Sequence, residues 1–527
     1  MVSRVQIKTF IVRFAPVLRG TYMVRPSSTS ILICLSASLI ISLPILFLLR
    51  TVVRFVAYAA SSLITFSIFL ILTHPDVLRR RWSIPRARAL VAVDSVFLAS
   101  SMALLLFLAF GTRGLLSSIL SLPPVFFIPG YLFLRLLRLP REDSPISEVL
   151  VFSLPYSTLL IVFAGLVVAG IPDKWAVAKG FLGFSLMASA LVLALDMRTM
   201  RSQGLRSASD EIALSDLLAI SASGLIFSII FSINYPRTAR LPGSDIVELL
   251  RTAVAWLKTP STYVAPGPCF HFPEALAYLL SGYPGPTAFL TATALPSFML
   301  FPSFYLLAKA AFRRGDERLA PLALLLLSCL SGFGWLFILL RWGFGDLESY
   351  MLAQGQAFEK TYQDLPQGGA IDLYAWFRPR TLGFISLFLA LWTLIEPGLS
   401  KREKVLNLAL LLACLFLSHA SEFLVLIMAL TLLVLFDGEF RGEFKDVFSA
   451  QLISYGGIIG SLGLLALALG QGELLAREPF ILLPVVLLIT SVAYLLSPFV
   501  QAACSRARER LPSWMGLLVL SAILVFV

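Results

Sequence analysis

"RRRWSIPRARALVAVDSVFLASSMALLLFLAF", Arg79 to Phe110, sets a dense basic cluster against a long apolar run. From Ala89 onward the only ionisable side chain in it is Asp94. An apolar helix of about 20 residues matches the ~30 Å hydrocarbon core of a bilayer. The same alternation of basic cluster and apolar run recurs along all 527 residues. Hydrophobic residues make up 58% and charged residues only 14%, against about 25% charged in soluble domains. The chain therefore reads as a polytopic membrane protein, all-α in class.

The periodicity and run lengths give about fifteen transmembrane helices. They fall at 30–49, 53–73, 90–110, 115–135, 148–170, 176–196, 215–234, 286–310, 320–340, 380–396, 405–418, 420–436, 450–470, 480–502 and 513–527. The basic residues fix the orientation. "RRRWSIPRAR", "MRTMRSQGLR", "RRGDER", "SKREK" and "SRARER" fall on one side, whereas the short loops opposite hold only Arg50, Arg113, Lys174 and Arg477. By the positive-inside rule the basic side is cytoplasmic. The N-terminus, 1–28, carries Arg4, Lys8, Arg13, Arg19 and Arg25 with no A-x-A-like cleavage site, and reads as a signal-anchor. A net charge of +12 in such clusters is a topology and anionic-lipid signal, so nucleic acid is not expected as a partner. The five cysteines are scattered and give neither a disulfide framework nor a metal knuckle. Asn occurs only at 234 and 407, a depletion associated with hot environments.

This orientation exposes two long loops outside, 235–285 and 341–379. The expected organisation is a cytoplasmic N-terminus at 1–28, a six-helix region at 29–211, and a membrane core at 212–527 carrying both loops. The six-helix region holds "FFIPGYLFLRLLRLPREDSPISEVLVFSLPYS", Phe126 to Ser157. Gly and Pro within its apolar run predict a kink whose freed backbone groups are met by neighbouring helices.

Polar chemistry collects on the outer face. In "LPGSDIVELLRTAVAWLK", Ser244–Asp245 reads as an N-cap for a helix whose Ile246, Leu249, Leu250, Val254 and Leu257 share a face. That helix would lie in the interface. Asp245 serves either as cap alone or also as a catalytic or metal-binding carboxylate, since capping leaves one oxygen free. His271 and Glu274 stand at the start of a second loop helix, "CFHFPEALAYLLSGYP", with Pro273 in its first turn. Arg378 and Arg380 flank Pro379 where the chain re-enters the membrane. They are either snorkelling anchors beside Tyr374 and Trp376 or a bidentate phosphate site. His419 and Glu422, three apart in "SHASEF", share one face of an outer turn. P-loop, GxSxG, HExxH and GxGxxG strings are missing from the sequence.

This layout resembles the GT-C superfamily of polytopic glycosyltransferases. The resemblance rests on Asp245 in "LPGSDIVELL", on "FHFPEALAYLLSGYP", on "FRPRTLGFISLFLAL" and on "LSHASEFLVLI", and covers about 215–440. The segment around "FFIPGYLFLRLL" is similar to a membrane domain of unknown function found in archaeal relatives. Two departures stand out: Asp245 is followed by Glu248 rather than by an adjacent acid, and WWDYG is missing. The resemblance implies an inverting transfer of sugar from a polyprenyl-phosphate donor to a glycan, lipid or protein acceptor on the extracytoplasmic face of the cell membrane. It implies Asp245 as general base, Arg378 and Arg380 on the donor phosphate, and Glu248, His271, Glu274, His419 and Glu422 lining the site. It implies no certain cofactor and leaves a divalent cation possible. The alternatives are a multi-pass transporter or lipid flippase, and an O-antigen-type polymerase or ligase.

Overall fold

The computed structural model describes residues 81–111, 115–141, 144–167, 171, 173–203, 209–224, 272–281, 298–313, 319–329, 379–418, 438–468 and 478–508, with scattered helical positions at 62, 65–68 and 423–431. These residues, Val425 and Ala429 excepted as lying outside the described set, are overwhelmingly helical. Five helical segments among them are long and apolar enough to cross a bilayer: Arg86–Ala109, Leu116–Leu137, Ile146–Gly165, Trp175–Arg198 and Leu483–Gln501. The expected spans at 30–49, 53–73 and 513–527 lie almost wholly outside the described residues.

The first described helix, α1 (Arg86–Ala109), is about 36 Å long. Its inward stripe is Asp94, Phe97, Ser101 and Leu104, while Val96, Met102, Leu105 and Leu106 point outward. Small and polar residues inside with large apolar ones outside is the inverse of a soluble amphipathic helix, and it suits a lipid surround. The chain continues through α2 (Leu115–Leu122) into a π turn (Pro123–Phe127) and α3 (Ile128–Leu137). Next come α4 (Ile146–Val167) and α5 (Lys174–Gln203). On α5, Ser185, Ser189 and Asp196 are buried, and Phe184, Met187, Leu191 and Leu195 are exposed.

A short antiparallel ribbon departs from the all-α expectation. Strand β1 (Arg81–Pro85) pairs with β2 (Ser209–Ala213), in register from Arg81 opposite Ala213 to Pro85 opposite Ser209. The backbone before α1 and after α5 lies outside any helix and needs partners for its N–H and C=O groups, which the two segments supply to each other. The ribbon also places the start of α1 level with the end of α5, so these helices pack antiparallel along their length.

The later helices are α6 (Leu214–Gly224), α7 (Phe272–Ser281), α8 (Leu300–Phe312), α9 (Leu319–Cys329), α10 (Pro379–Ile395), α11 (Lys401–Ser418), α12 (Gly438–Ala468) and α13 (Glu478–Arg508). Helix α11 is buried from Asn407 to Ser418 except at the half-buried Leu410. It packs between α10 and α12, and α4 packs against it from the N-terminal half of the chain. One apolar cluster runs from Phe97 on α1 through α4, α10 and α11 to Val486 on α13.

The kink expected around "FFIPG" is present. Pro129 has no N–H to donate, and the π turn widens the helix so that Ile128 N–H reaches the Pro123 carbonyl. Gly130 N–H leaves its own helix and donates to Ser157 Oγ of α4 at 2.7 Å. Proline kinks inside membranes are tolerated when neighbouring helices take up the freed groups in this way.

Candidate functional site

Six of the eight candidate site residues (Asp245, Glu248, His271, Arg378, His419 and Glu422) lie outside the described residues. The other two have defined backbone positions. Glu274 stands in the first turn of α7, one residue after the buried Pro273. Leu276, Ala277 and Leu280 form that helix's buried stripe, and it packs against α2 and α4. Arg380 is the second residue of α10, directly after Pro379. Helix α10 packs against α8 and α11. So α7 is seated on the N-terminal helices, and α10 belongs to the core.

The described residues also hold ionic clusters that spacing along the chain does not reveal. The deepest joins α1, α3 and α5. Arg135 forms a two-pronged contact with Asp196, Nη1 to Oδ2 at 2.5 Å and Nη2 to Oδ1 at 2.7 Å. Its Nη1 also lies 3.3 Å from the Tyr131 hydroxyl and 3.5 Å from Asp94 Oδ2. Tyr131 donates to Asp94 Oδ1 at 2.7 Å. Asp94 is 1% exposed, and the Arg135 side chain 27%. Phe97 closes the apolar side, meeting the Tyr131 ring edge-on at 5.3 Å.

Local structure explains the arrangement. Tyr131 and Arg135 are four apart on α3 and so share a face. Asp94 is the ninth residue of α1, about 12 Å along the axis from Arg86. Asp196 stands two turns before the end of α5. The ribbon's levelling of α1 and α5 brings the two carboxylates to the same height, with Arg135 between them. Both Asp94 and Asp196 are legible in the sequence as acids in or near apolar spans. The signal for their partner was Arg135 in "GYLFLRLL", a costly guanidinium within an apolar run.

A second cluster surrounds the α3–α4 turn. Arg141 meets Glu148 of α4 at 3.2 Å and Glu396 at the end of α10 at 3.5 Å. Arg313, just past α8, meets Glu396 at 2.8 Å. In the same turn the Pro140 carbonyl accepts from Asn407 Nδ2 at 2.9 Å, and Asn407 Oδ1 accepts from the Tyr156 hydroxyl at 2.8 Å. A third cluster ties Asp216 of α6 to the Tyr305 hydroxyl and to Lys309 Nζ of α8, the latter at 2.8 Å. A fourth pair, Lys401 with Asp446 at 3.1 Å, joins the first turn of α11 to α12.

In chemical terms the second, third and fourth clusters are clamps: their carboxylates face cations at contact distance. The first differs in its charge balance: two carboxylates share one guanidinium, whereas in the second Arg141 and Arg313 together face Glu148 and Glu396, and Asp94 Oδ2, like Glu148 Oε2, has no hydrogen bond. Among the described residues no group of three or more His, Cys, Asp or Glu could hold a metal ion. No family model, curated protein or solved structure matches this chain.

Proposed function

We propose that this protein is a membrane glycosyltransferase that moves a sugar from a polyprenyl-phosphate donor to an acceptor on the extracytoplasmic face. The observation that carries the reading is the start of α10. Pro379 and Arg380 open that helix, so the cationic residue stands among first-turn N–H groups that lack partners within the helix. Helix dipoles favour anions at this end, and a cation there gains nothing from the helix itself. A phosphate bound beside the first turn would be held by the guanidinium and favoured by the positive end of the helix dipole. Arg378, two residues earlier, would complete the grip. As the carrier phosphate leaves, its growing charge is stabilised by these donors. Asp245 takes the proton of the acceptor hydroxyl as general base. Glu248, His271, Glu274, His419 and Glu422 line the acceptor side. The donor is already activated and arrives laterally through the lipid, so the chemistry calls for no nucleotide site.

The test is sugar transfer by the purified full-length protein from a synthetic polyprenyl-phosphate sugar. Asp245→Asn should lower the rate by about 10² or more, while Asn still caps the following helix. Arg378→Ala and Arg380→Ala should each weaken donor use, and Lys should rescue only in part because it lacks the planar fork. Wild-type transfer rates in all three variants would reduce these residues to a cap and two anchors.

One observation favours the transporter reading instead: Asp94, Arg135 and Asp196 stand within apolar helices, where charged residues often mark a transport path. Uptake of a lipid-linked sugar by proteoliposomes that is lost in Asp196→Asn, with no transfer activity in any preparation, would select it.

A further inference from the structure

The surplus carboxylate of the α1–α3–α5 cluster has a consequence independent of sugar transfer. Asp196 takes both prongs of Arg135, whereas Asp94 receives one hydrogen bond, from Tyr131. Arg135 Nη1 stands 3.5 Å from Asp94 Oδ2, beyond the usual length of a charge-assisted bond. Oδ2 is buried with no hydrogen-bond partner. Two ionised aspartates beside one guanidinium would leave a full negative charge in an apolar interior, and that charge would rest on the oxygen with the fewest donors. Desolvation makes such a charge expensive.

Among the described residues neither carboxylate meets a second cation, since Arg198, two residues after Asp196 on α5, and Arg138 at the end of α3 are exposed. Helix α2 and the π turn, both packed on α1, carry no ionisable residue. Glu148 of α4 is held by Arg141. Strand β1, which directly precedes α1, begins with Arg81, and α7 carries Glu274 and Tyr278 in its sequence. On α1 itself, Arg86 and Arg88 stand eight and six residues before Asp94, about 12 Å and 9 Å along the axis.

A second, independent observation lies in the same helix interface. Ser101 of α1 and Ser189 of α5 are each seven residues from their carboxylate, about 10 Å along the helix axis. Because α1 and α5 run antiparallel from a common level at Asp94 and Asp196, both serines reach the same height. Ser185 lies one turn further. All three hydroxyls are buried without a hydrogen-bond partner. Orphaned hydroxyls in register with an orphaned carboxyl oxygen are what a hydrated seam between two helices requires, since each water needs two to four polar partners.

We propose that Asp94 is an exchangeable proton-binding site, neutral in the resting protein, at the base of a hydrated seam between α1 and α5. The bound proton cancels the surplus charge, and Arg135 and Asp196 form the fixed ion pair beside it. Release of the proton sets Asp94 in competition with Asp196 for the one guanidinium, so protonation is coupled to how α1, α3 and α5 pack.

Asn reproduces the neutral acid in shape and cannot ionise, which gives the test. In purified full-length protein at neutral pH, Asp94→Asn should melt at or above the wild-type temperature. Asp196→Asn should melt clearly lower, because it strips the fork from a largely buried Arg135. Folding of the wild type would take up a proton that the unfolded chain lacks, so its stability should fall as pH is raised across the neutral range. In Asp94→Asn that dependence should flatten. Infrared spectra of wild type carrying 13C-labelled aspartate carboxyls should show a protonated Asp C=O band at neutral pH, separable from any glutamate, and the band should vanish in Asp94→Asn. A wild type without that band overturns the proposal, whatever the variant does. So does an Asp94→Asn protein that melts as low as Asp196→Asn or fails to fold, because Asp94 would then be an ionised partner of Arg135. Sugar transfer plays no part in these readouts, so the transferase reading stands or falls separately.

Discussion

Gly130 shows how much one residue can decide in a membrane helix. A Cβ at that position would lie 2.1 Å from the Ser153 carbonyl oxygen and 2.5 Å from the Ser157 backbone nitrogen. Both are backbone atoms of α4, so neither can swing away. The missing side chain is what lets α3 approach closely enough for Gly130 N–H to reach Ser157 Oγ. Small residues at helix crossings serve the same purpose throughout membrane proteins. Gly130→Ala is therefore expected to separate α3 from α4 and cost several kcal/mol, above the usual 1–3 kcal/mol for overpacking, because the obstacle is backbone. Thermal unfolding in detergent would read this as a large drop or as failure to accumulate, and a melting temperature near wild type would refute the close approach. The sequence announced this kink, since Gly and Pro in an apolar run have few other meanings. It could not announce the partner. Asp94, Arg135 and Asp196 show the same limit: each is conspicuous as a charge in an apolar run, but their pairing spans 41 and 61 positions and follows from three helices meeting.

Among the elements, the α3–α4 turn links the two halves of the described structure. Asn407, one of two asparagines in the chain, reaches from α11 to the Pro140 carbonyl and accepts from Tyr156 of α4. Both partners are far away in sequence and fully buried at the Tyr156 end. Replacing Asn407 with Leu keeps the branched heavy-atom shape and removes both bonds. It orphans a buried hydroxyl and a carbonyl, at about 1–3 kcal/mol each. The expected result is a lower melting temperature in detergent, and Asn407→Gln should not restore it, because the longer arm misplaces both groups. An unchanged melting temperature for Asn407→Leu would mean that apolar packing of α4 on α11 suffices alone.

At this scale the hydropathy pattern was informative where apolar runs are long. The expected span 380–396 corresponds to α10 at Pro379–Ile395, and 148–170 to α4 at Ile146–Val167. Helix ends were misjudged wherever polar residues extend a helix beyond the apolar run. Thus α5 continues to Gln203 and α12 begins at Gly438, since hydropathy marks the lipid and backbone hydrogen bonding does not stop there. The β1–β2 ribbon was invisible for a related reason: five-residue strands inside a charged segment give too little alternation to register. Of the candidate site, only the positions of Glu274 and Arg380 at the starts of their helices can be compared with expectation, and both fall where the Pro-bearing motifs put them.

For the molecule as a whole, the ionic clusters show which helix ends lie together. Arg141, Glu148, Arg313 and Glu396 meet at one end of their helices, and Lys401 at the start of α11 meets Asp446 about two turns into α12. The ribbon brings together the segments before α1 and after α5. Every one of these segments is one that the Lys and Arg distribution assigns to the cytoplasmic side. Salt bridges and charge bias are independent, since one depends on contact and the other on how a chain is inserted. Their agreement on which segments share a side leads to a test of which side it is. In a background with the five native cysteines replaced, Leu205→Cys lies between α5 and β2, and Thr262→Cys lies in the loop 235–285. An impermeant thiol reagent applied to intact cells should label position 262 and leave 205 unmodified until the membrane is opened. The opposite pattern would invert the whole chain. Asp245, Arg378 and Arg380 would then face the cytoplasm, where an extracytoplasmic lipid-linked donor is out of reach, and the transferase reading would have to be abandoned along with the orientation.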